Sequence, residues 1–231
     1  MKKQGILVTA AIGSALAGIM LMPSIGHATI IGGTEAGTCN PVPCDQTVNF
    51  APANSGTTVV GDTNPAPVYN VFVDSLEGLT LHGSGSTVDT GVGGPGFLSI
   101  LIRPEAGWAW SVIDFQLDSL ISSPTPLQSG LTLTAIDQNS VPWVFNVDFP
   151  WEGNNGENQH YFAQGLSGEL ITSLQIDYTD PNAGEGNTIQ DIHNIDVASV
   201  RVPEPSTLGL FSVGLLSLFF GFGIMRRRAD A

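Results

Sequence analysis

Lysine is missing from residues 29–202 of this chain, and the only fixed cations in that stretch are Arg103 and Arg201. Set against nineteen Asp and Glu residues, the two arginines leave a formal charge of −17. Nucleic-acid binding needs cationic side chains to displace counterions from phosphates, so nucleic acid is excluded as a partner. The missing lysine also excludes a nucleotide phosphate loop. A serine-hydrolase elbow is lacking too, because Gly83-Ser84-Gly85-Ser86 and Gly165-Leu166-Ser167-Gly168 have the wrong spacing. Zinc would want clustered His or Cys, whereas His82, His160 and His193 are scattered along the chain. Glu152 and Glu157 lie in one loop that gives no control over their separation, so no catalytic carboxylate pair is expected. The reading is of a protein that is not an enzyme.

Cysteine is as scarce. Cys39 and Cys44 are the only two, and in an exported chain such a pair reads as a disulfide. The loop it closes is short, so the bridge pins a local turn with about 2 kcal/mol of stabilisation.

The cations missing from the middle sit at the ends. Lys2 and Lys3 precede an uncharged run to Met22, then Pro23 and the small residues Gly26 and Ala28. That layout is a secretory signal peptide over 1–28, with cleavage after Ala28. At the other end, nineteen residues from Thr207 to Met225 carry no charge. At about 1.5 Å per residue they are long enough to cross a hydrocarbon layer as a helix. Arg226, Arg227 and Arg228 follow at once and would keep the last residues cytoplasmic.

Between the ends, helical periodicity is absent and period two prevails. Ile113, Phe115 and Leu117 alternate with Asp114, Gln116 and Asp118, and Trp143, Phe145, Val147 and Phe149 with polar residues. Each pattern predicts a strand with one face in a core and one in water. Eight short runs, apolar or alternating, are expected as strands: Val68–Val73, Leu79–His82, Phe97–Ile102, Trp110–Leu117, Leu131–Ile136, Trp143–Phe149, Leu170–Tyr178 and Ile189–Val200. Asp137-Gln138-Asn139-Ser140 joins two of them as a hairpin. In the last run Ile189, Ile192 and Ile195 also suit a helical turn, so the strand is placed from about Ile195. The expected fold is all-β, an antiparallel β-sandwich or jelly roll over 68–202. Residues 29–67, rich in Gly, Pro, Thr and Asn, are expected to form a loosely structured arm that adds at most an edge strand.

Val202-Pro203-Glu204-Pro205-Ser206, the apolar span 207–225 and the arginines 226–228 stand in that order over 202–231, the tail proper being 203–231. This tail resembles the PEP-CTERM sorting signal of bacterial proteins handled by exosortase. The resemblance covers about 30 residues. It implies a membrane-anchored intermediate, recognition of Pro203, Glu204 and Pro205 by an exosortase-type processing enzyme, removal of the tail, and association with exopolysaccharide, biofilm or cell-surface material. Physically, two prolines that cannot continue a helix hold Glu204 on a stiff, extended spacer.

Two binding chemistries remain for the domain before the tail. Asp177, Asp180, Asn182 and Asp191 offer the hard oxygen ligands that Ca²⁺ takes, without matching an EF-hand loop. Trp151, Asn154, Asn155 and Tyr161 combine aromatic faces and amides that suit a sugar. Tryptophans on strands, Trp110 and Trp143, read instead as core. Two function classes follow: a non-catalytic surface or matrix structural protein, and a carbohydrate-binding module assisted by calcium. Calcium apart, no cofactor is expected.

Overall fold

The computed structural model describes residues 29–35, 39, 43–120, 130–147, 159–179 and 188–202. Both terminal segments, 1–28 and 203–231, lie outside it. Among the described residues no helix is long and apolar enough to cross a membrane.

Alternation of apolar and polar residues produces strands almost throughout. In chain order they are β1 (Thr29–Glu35), β2 (Gln46–Gly56), β3 (Thr58–Asn64), β4 (Asn70–Ser75), β5 (Leu81–Gly85), β6 (Thr87–Asp89), β7 (Ser99–Pro104), β8 (Trp108–Leu120), β9 (Leu131–Asp137), β10 (Pro142–Val147), β11 (Gln159–Leu166), β12 (Ile171–Tyr178) and β13 (Thr188–Arg201). In β9, Leu131, Leu133 and Ala135 are buried while the intervening threonines are half-exposed, as period two dictates. The β9–β10 hairpin closes on Asp137, whose Oδ1 accepts from the backbone N–H of Asn139 and of Val141, each at 2.8 Å. Ser140 takes the left-handed conformation that finishes the turn.

The all-β expectation holds, but the sheets close into an antiparallel barrel and are not a sandwich or jelly roll. Nine strands form the ring β8–β13–β6–β5–β2–β3–β4–β7–β12, and it closes where Ile171 of β12 pairs with Trp110 of β8. Beyond the ring, β11 and then β1 extend from β8, and β9 and then β10 extend from β12. The two outlying ribbons meet at Gly32 of β1, where a Cβ would come within 2.8 Å of the Phe145 ring. Alternation suits a sandwich and a barrel equally; what bends the sheet here is a set of β-bulges. Along β13 the pairing with β8 slips between Ile189 and Asp191, between His193 and Asp196, and between Ala198 and Ser199, and each bulge adds local twist.

The same bulges explain the ambiguous isoleucines. Ile189, Ile192 and Ile195 are all fully buried although spaced by three, because an extra β13 residue at each of the first two bulges returns the side chain to the core face. The strand therefore begins at Thr188, not near Ile195.

Residues 29–67 are not a loose arm. They supply β1, β2 and β3, and they bury Ile30, Val48, Phe50 and Val59 in the core. β2 is an interior strand, flanked by β3 and β5. It fits there because Phe50 lies over glycines on both neighbours: a Cβ on Gly61 or on Gly83 would stand 2.9 Å from the Phe50 side chain. The connection from β3 to β4 is tied into the barrel as well. The buried Gln46 Nε2 donates to the carbonyls of Pro65 (2.8 Å) and Pro67 (2.6 Å), and Thr63 Oγ1 donates to Pro67 O at 2.9 Å.

Candidate functional site

Cys39 and Cys44 are joined in a disulfide, with Cα atoms 5.4 Å apart. The bridge stands beside a cavity of about 300 Å³ lined also by Pro43, Asp45, Gln46, Thr47, Asn64, Pro65 and Asp196. Strand register puts these residues together. On β13, Asp196 pairs with Thr47 of β2 on one side and with Asp114 of β8 on the other. Thr47 Oγ1 donates to Asp196 Oδ1 at 2.5 Å, and the backbone N–H of Asp45 donates to Val197 O at 3.2 Å. Burial pushes the Asp196 carboxyl above the usual carboxylate range, and the Thr47 hydroxyl and His160 pull it partly back.

Behind Asp196 lies a buried polar layer. Asp114 is fully enclosed; its Oδ1 accepts from His160 Nδ1 at 2.9 Å and its Oδ2 from the backbone N–H of Cys39 at 3.4 Å. Burial raises the Asp114 carboxyl against these donors, as expected where a carboxylate leaves water. Gln116 bonds to His160 Nε2 and accepts from Asn194 Nδ2 at 2.6 Å. The polar face of β8 was expected in water; Asp114 and Gln116 are instead buried under this network, and only Asp118 reaches partial exposure.

A second group forms farther along the same strands. Asp118 of β8, Asp191 of β13 and Asp89 of β6 are register partners across three adjacent strands, and His82 of β5 is opposite Asp89. His193, two residues from Asp191 on β13, places Nε2 3.4 Å from Asp118 Oδ1 and 3.9 Å from Asp191 Oδ1. Donor atoms of Asp118, Asp191 and His193 lie within 4.8 Å of one another. The Asp191 carboxyl is pushed up to about 6, first by burial and then by the charges of Asp118 and Asp89, with His193 acting in the opposite sense. Like charges opposed across strands are unfavourable unless a proton or cation is shared between them. Two carboxylates and an imidazole form a donor set that suits zinc or manganese better than calcium.

Several expected site residues are placed differently. Asp177 is engaged on β12 by Ser99 Oγ (2.5 Å) and by Gln175 Nε2 (2.9 and 3.0 Å), whereas Asp191 belongs to the Asp118–His193 group. Asp180 and Asn182 lie outside the described residues, as do Trp151, Asn154 and Asn155. Tyr161 cannot offer a face to a sugar, because it is fully buried and stacks on Phe115 at 5.7 Å between centroids. Trp110 is a core residue as expected; Trp143 is half-buried, with Nε1 donating to Asp137 Oδ2 at 3.2 Å. The sorting residues Pro203, Glu204 and Pro205 and the basic end Arg226, Arg227 and Arg228 lie outside the described residues.

Sequence reasoning missed Asp114, Asp118, Asp196, His160 and His193 as site residues. A signal was present in Asp191-x-His193, which in a strand puts both side chains on one face. The partners on β8 come from register that no local pattern encodes. In comparisons with known proteins, no family model, curated protein or solved structure matches this chain.

Proposed function

We propose that this chain is an exported, non-catalytic surface or extracellular-matrix protein. Its signal peptide at 1–28 directs secretion, and its tail at 203–231 holds the barrel at the membrane until an exosortase-type enzyme cuts near Pro203, Glu204 and Pro205. The observation that carries the reading is the Cys39–Cys44 disulfide on a lysine-free acidic barrel. A disulfide belongs to an oxidising compartment, and a formal charge of −17 over 29–202 suits solubility outside the cell and contacts with cationic material.

Expression of the full chain in hosts with and without an exosortase-type enzyme tests this, with intact-mass measurement of the product. The expected product starts at Thr29, keeps the disulfide and loses the tail only where the enzyme is present. A cytoplasmic product with both ends intact and free thiols would overturn the proposal.

A second reading, carbohydrate binding, is favoured by one observation: the polar cavity beside the disulfide, whose carboxylates, amides and prolines offer the chemistry of a sugar site.

A further inference from the structure

We infer that the cavity bounded by Asp45, Thr47, Asn64, Pro65 and Asp196 binds a sugar unit carrying a free ammonium group, an amino sugar. The first argument is charge. Two carboxylates line the cavity, no Lys, Arg or His does among the described residues, and the buried Asp114 stands behind Asp196. An anionic ligand would meet like charge there, offset only in part by His160, which bonds to Asp114 behind the wall. A neutral sugar would hydrogen-bond to the carboxylates but leave their charge unmatched, whereas an ammonium makes the stronger charge-assisted bonds.

Shape and donor type narrow the class further. At about 300 Å³ the cavity has room for one ring-sized unit. Pro43 and Pro65 add apolar lining, Asn64 carries an amide, and Thr47 a hydroxyl whose proton goes to Asp196. A bare metal ion would make no use of the two prolines, and the converging metal donors among the described residues are elsewhere, at Asp118, Asp191 and His193.

The walls are also fixed before any ligand arrives. Gln46 is held by Pro65 O, Pro67 O and Ser199 Oγ, Asp196 by Thr47, and the Cys39 end of the disulfide by Asp114. Preorganised walls reduce the ordering cost of binding. Burial that raises the Asp196 carboxyl is relieved when a cation sits beside it.

That the natural ligand is a matrix polysaccharide bearing unacetylated amino groups rests on the extracellular reading above; the preference of the cavity for an ammonium does not. The test is calorimetric titration of the purified, disulfide-intact full chain with glucosamine, N-acetylglucosamine, glucose and ethanolamine at neutral pH. Glucosamine should bind at least tenfold tighter than each of the other three. Asp196→Asn and the exposed Asp45→Asn should each weaken it by tenfold or more without changing its melting temperature by more than a few degrees. Glucosamine binding no tighter than glucose, ethanolamine binding as tight as glucosamine, or an unchanged affinity in Asp45→Asn would each overturn the inference. Selective glucosamine binding by a chain that fails the processing test would keep the site and remove the sorting proposal.

Discussion

The indole Nε1–H of Trp110 donates to the hydroxyl of Tyr69 across 2.9 Å, at the strand position where the barrel ring closes. Tyr69 shares a second bond with Ser199 Oγ at 2.6 Å, Ser199 donates to Gln46 Oε1, and Gln46 holds the carbonyls of Pro65 and Pro67. Tyr69 also stacks on Trp108, with centroids 4.6 Å apart and rings 11° from parallel. A continuous relay, buried except at the half-buried Ser199, thus links the closure at Ile171–Trp110 to the wall of the polar cavity. Burial raises the phenol of Tyr69 above its ordinary value, so the hydroxyl stays protonated and keeps both roles, donor and acceptor.

Tyr69→Phe removes the middle of that relay and leaves the buried Trp110 N–H without its acceptor. The expected cost is about 1–3 kcal/mol, the usual penalty for an orphaned buried polar group. Urea denaturation measures it. Unchanged stability would mean that the relay is not a structural element.

Asp191 makes stability depend on pH. Its carboxyl holds a proton more tightly in the folded protein, near pH 6, than at the ordinary value of 3.8 in the unfolded chain. Its stabilising contribution is therefore full below about pH 4 and is lost as pH rises through about 6. Asp191→Asn should match wild type at pH 4 and exceed it above pH 6.5 by about 2–3 kcal/mol, the equivalent of a shift of roughly two units. Thermal melts from pH 4 to 8 check this, and a constant difference across the range would refute it.

Gly61→Ala should destabilise the barrel by about 1–3 kcal/mol through overpacking. The added Cβ would stand 2.7 Å from Val48 Cγ1 and 2.9 Å from the Phe50 ring, both buried on β2. Ala at Gly107, where no atom lies within 4 Å of a Cβ, tests a different effect: there φ is +87°, so only backbone strain should appear. Chemical denaturation of the two variants, with a compensating Phe50→Leu change rescuing Gly61→Ala alone, separates packing from strain.

Replacing both Cys39 and Cys44 by Ser should cost about 2 kcal/mol, the loop-closure value for so short a ring. It should also loosen the Cys39 N–H contact with Asp114. Thermal melts with and without reductant check the first point, since reductant should shift wild type and leave the double variant unmoved. Hydrogen exchange of the backbone amide at position 39, faster in the double variant than in wild type, checks the second.

Whereas the run Leu79–His82 only overlaps β5 and the last strand starts earlier than expected, strands such as β9 and β10 were legible because a half-buried strand writes its period into the chain. β1, β2, β6 and β11 were not, because their burial depends on neighbours: Gly32 and Gly61 make room for the Phe145 and Phe50 rings, and a three-residue strand such as β6 has no period to show. The expected exposed face of β8 failed for a related reason. Asp114 and Gln116 alternate correctly, but the segment at Cys39 and the side chains of His160 and Asn194 cover them. The disulfide was legible from composition alone. The Asp118–Asp191–His193 group was not, since its members meet only through the β8–β13 register, which bulges shift.

The last strand also fixes where the two ends of the barrel lie. Arg201 pairs with Trp108 at the start of β8, Thr29 pairs with Leu166 on β11, and β11 runs alongside β8, so the first and last strands both meet the flanking segments at one pole. Asp191 is ten residues before Arg201 on β13, roughly 30 Å away along a strand. The aspartate group thus lies toward the pole opposite Trp108 and Val202, with the facing atoms Asp118 Oδ1, Asp191 Oδ1 and His193 Nε2 shut off from solvent.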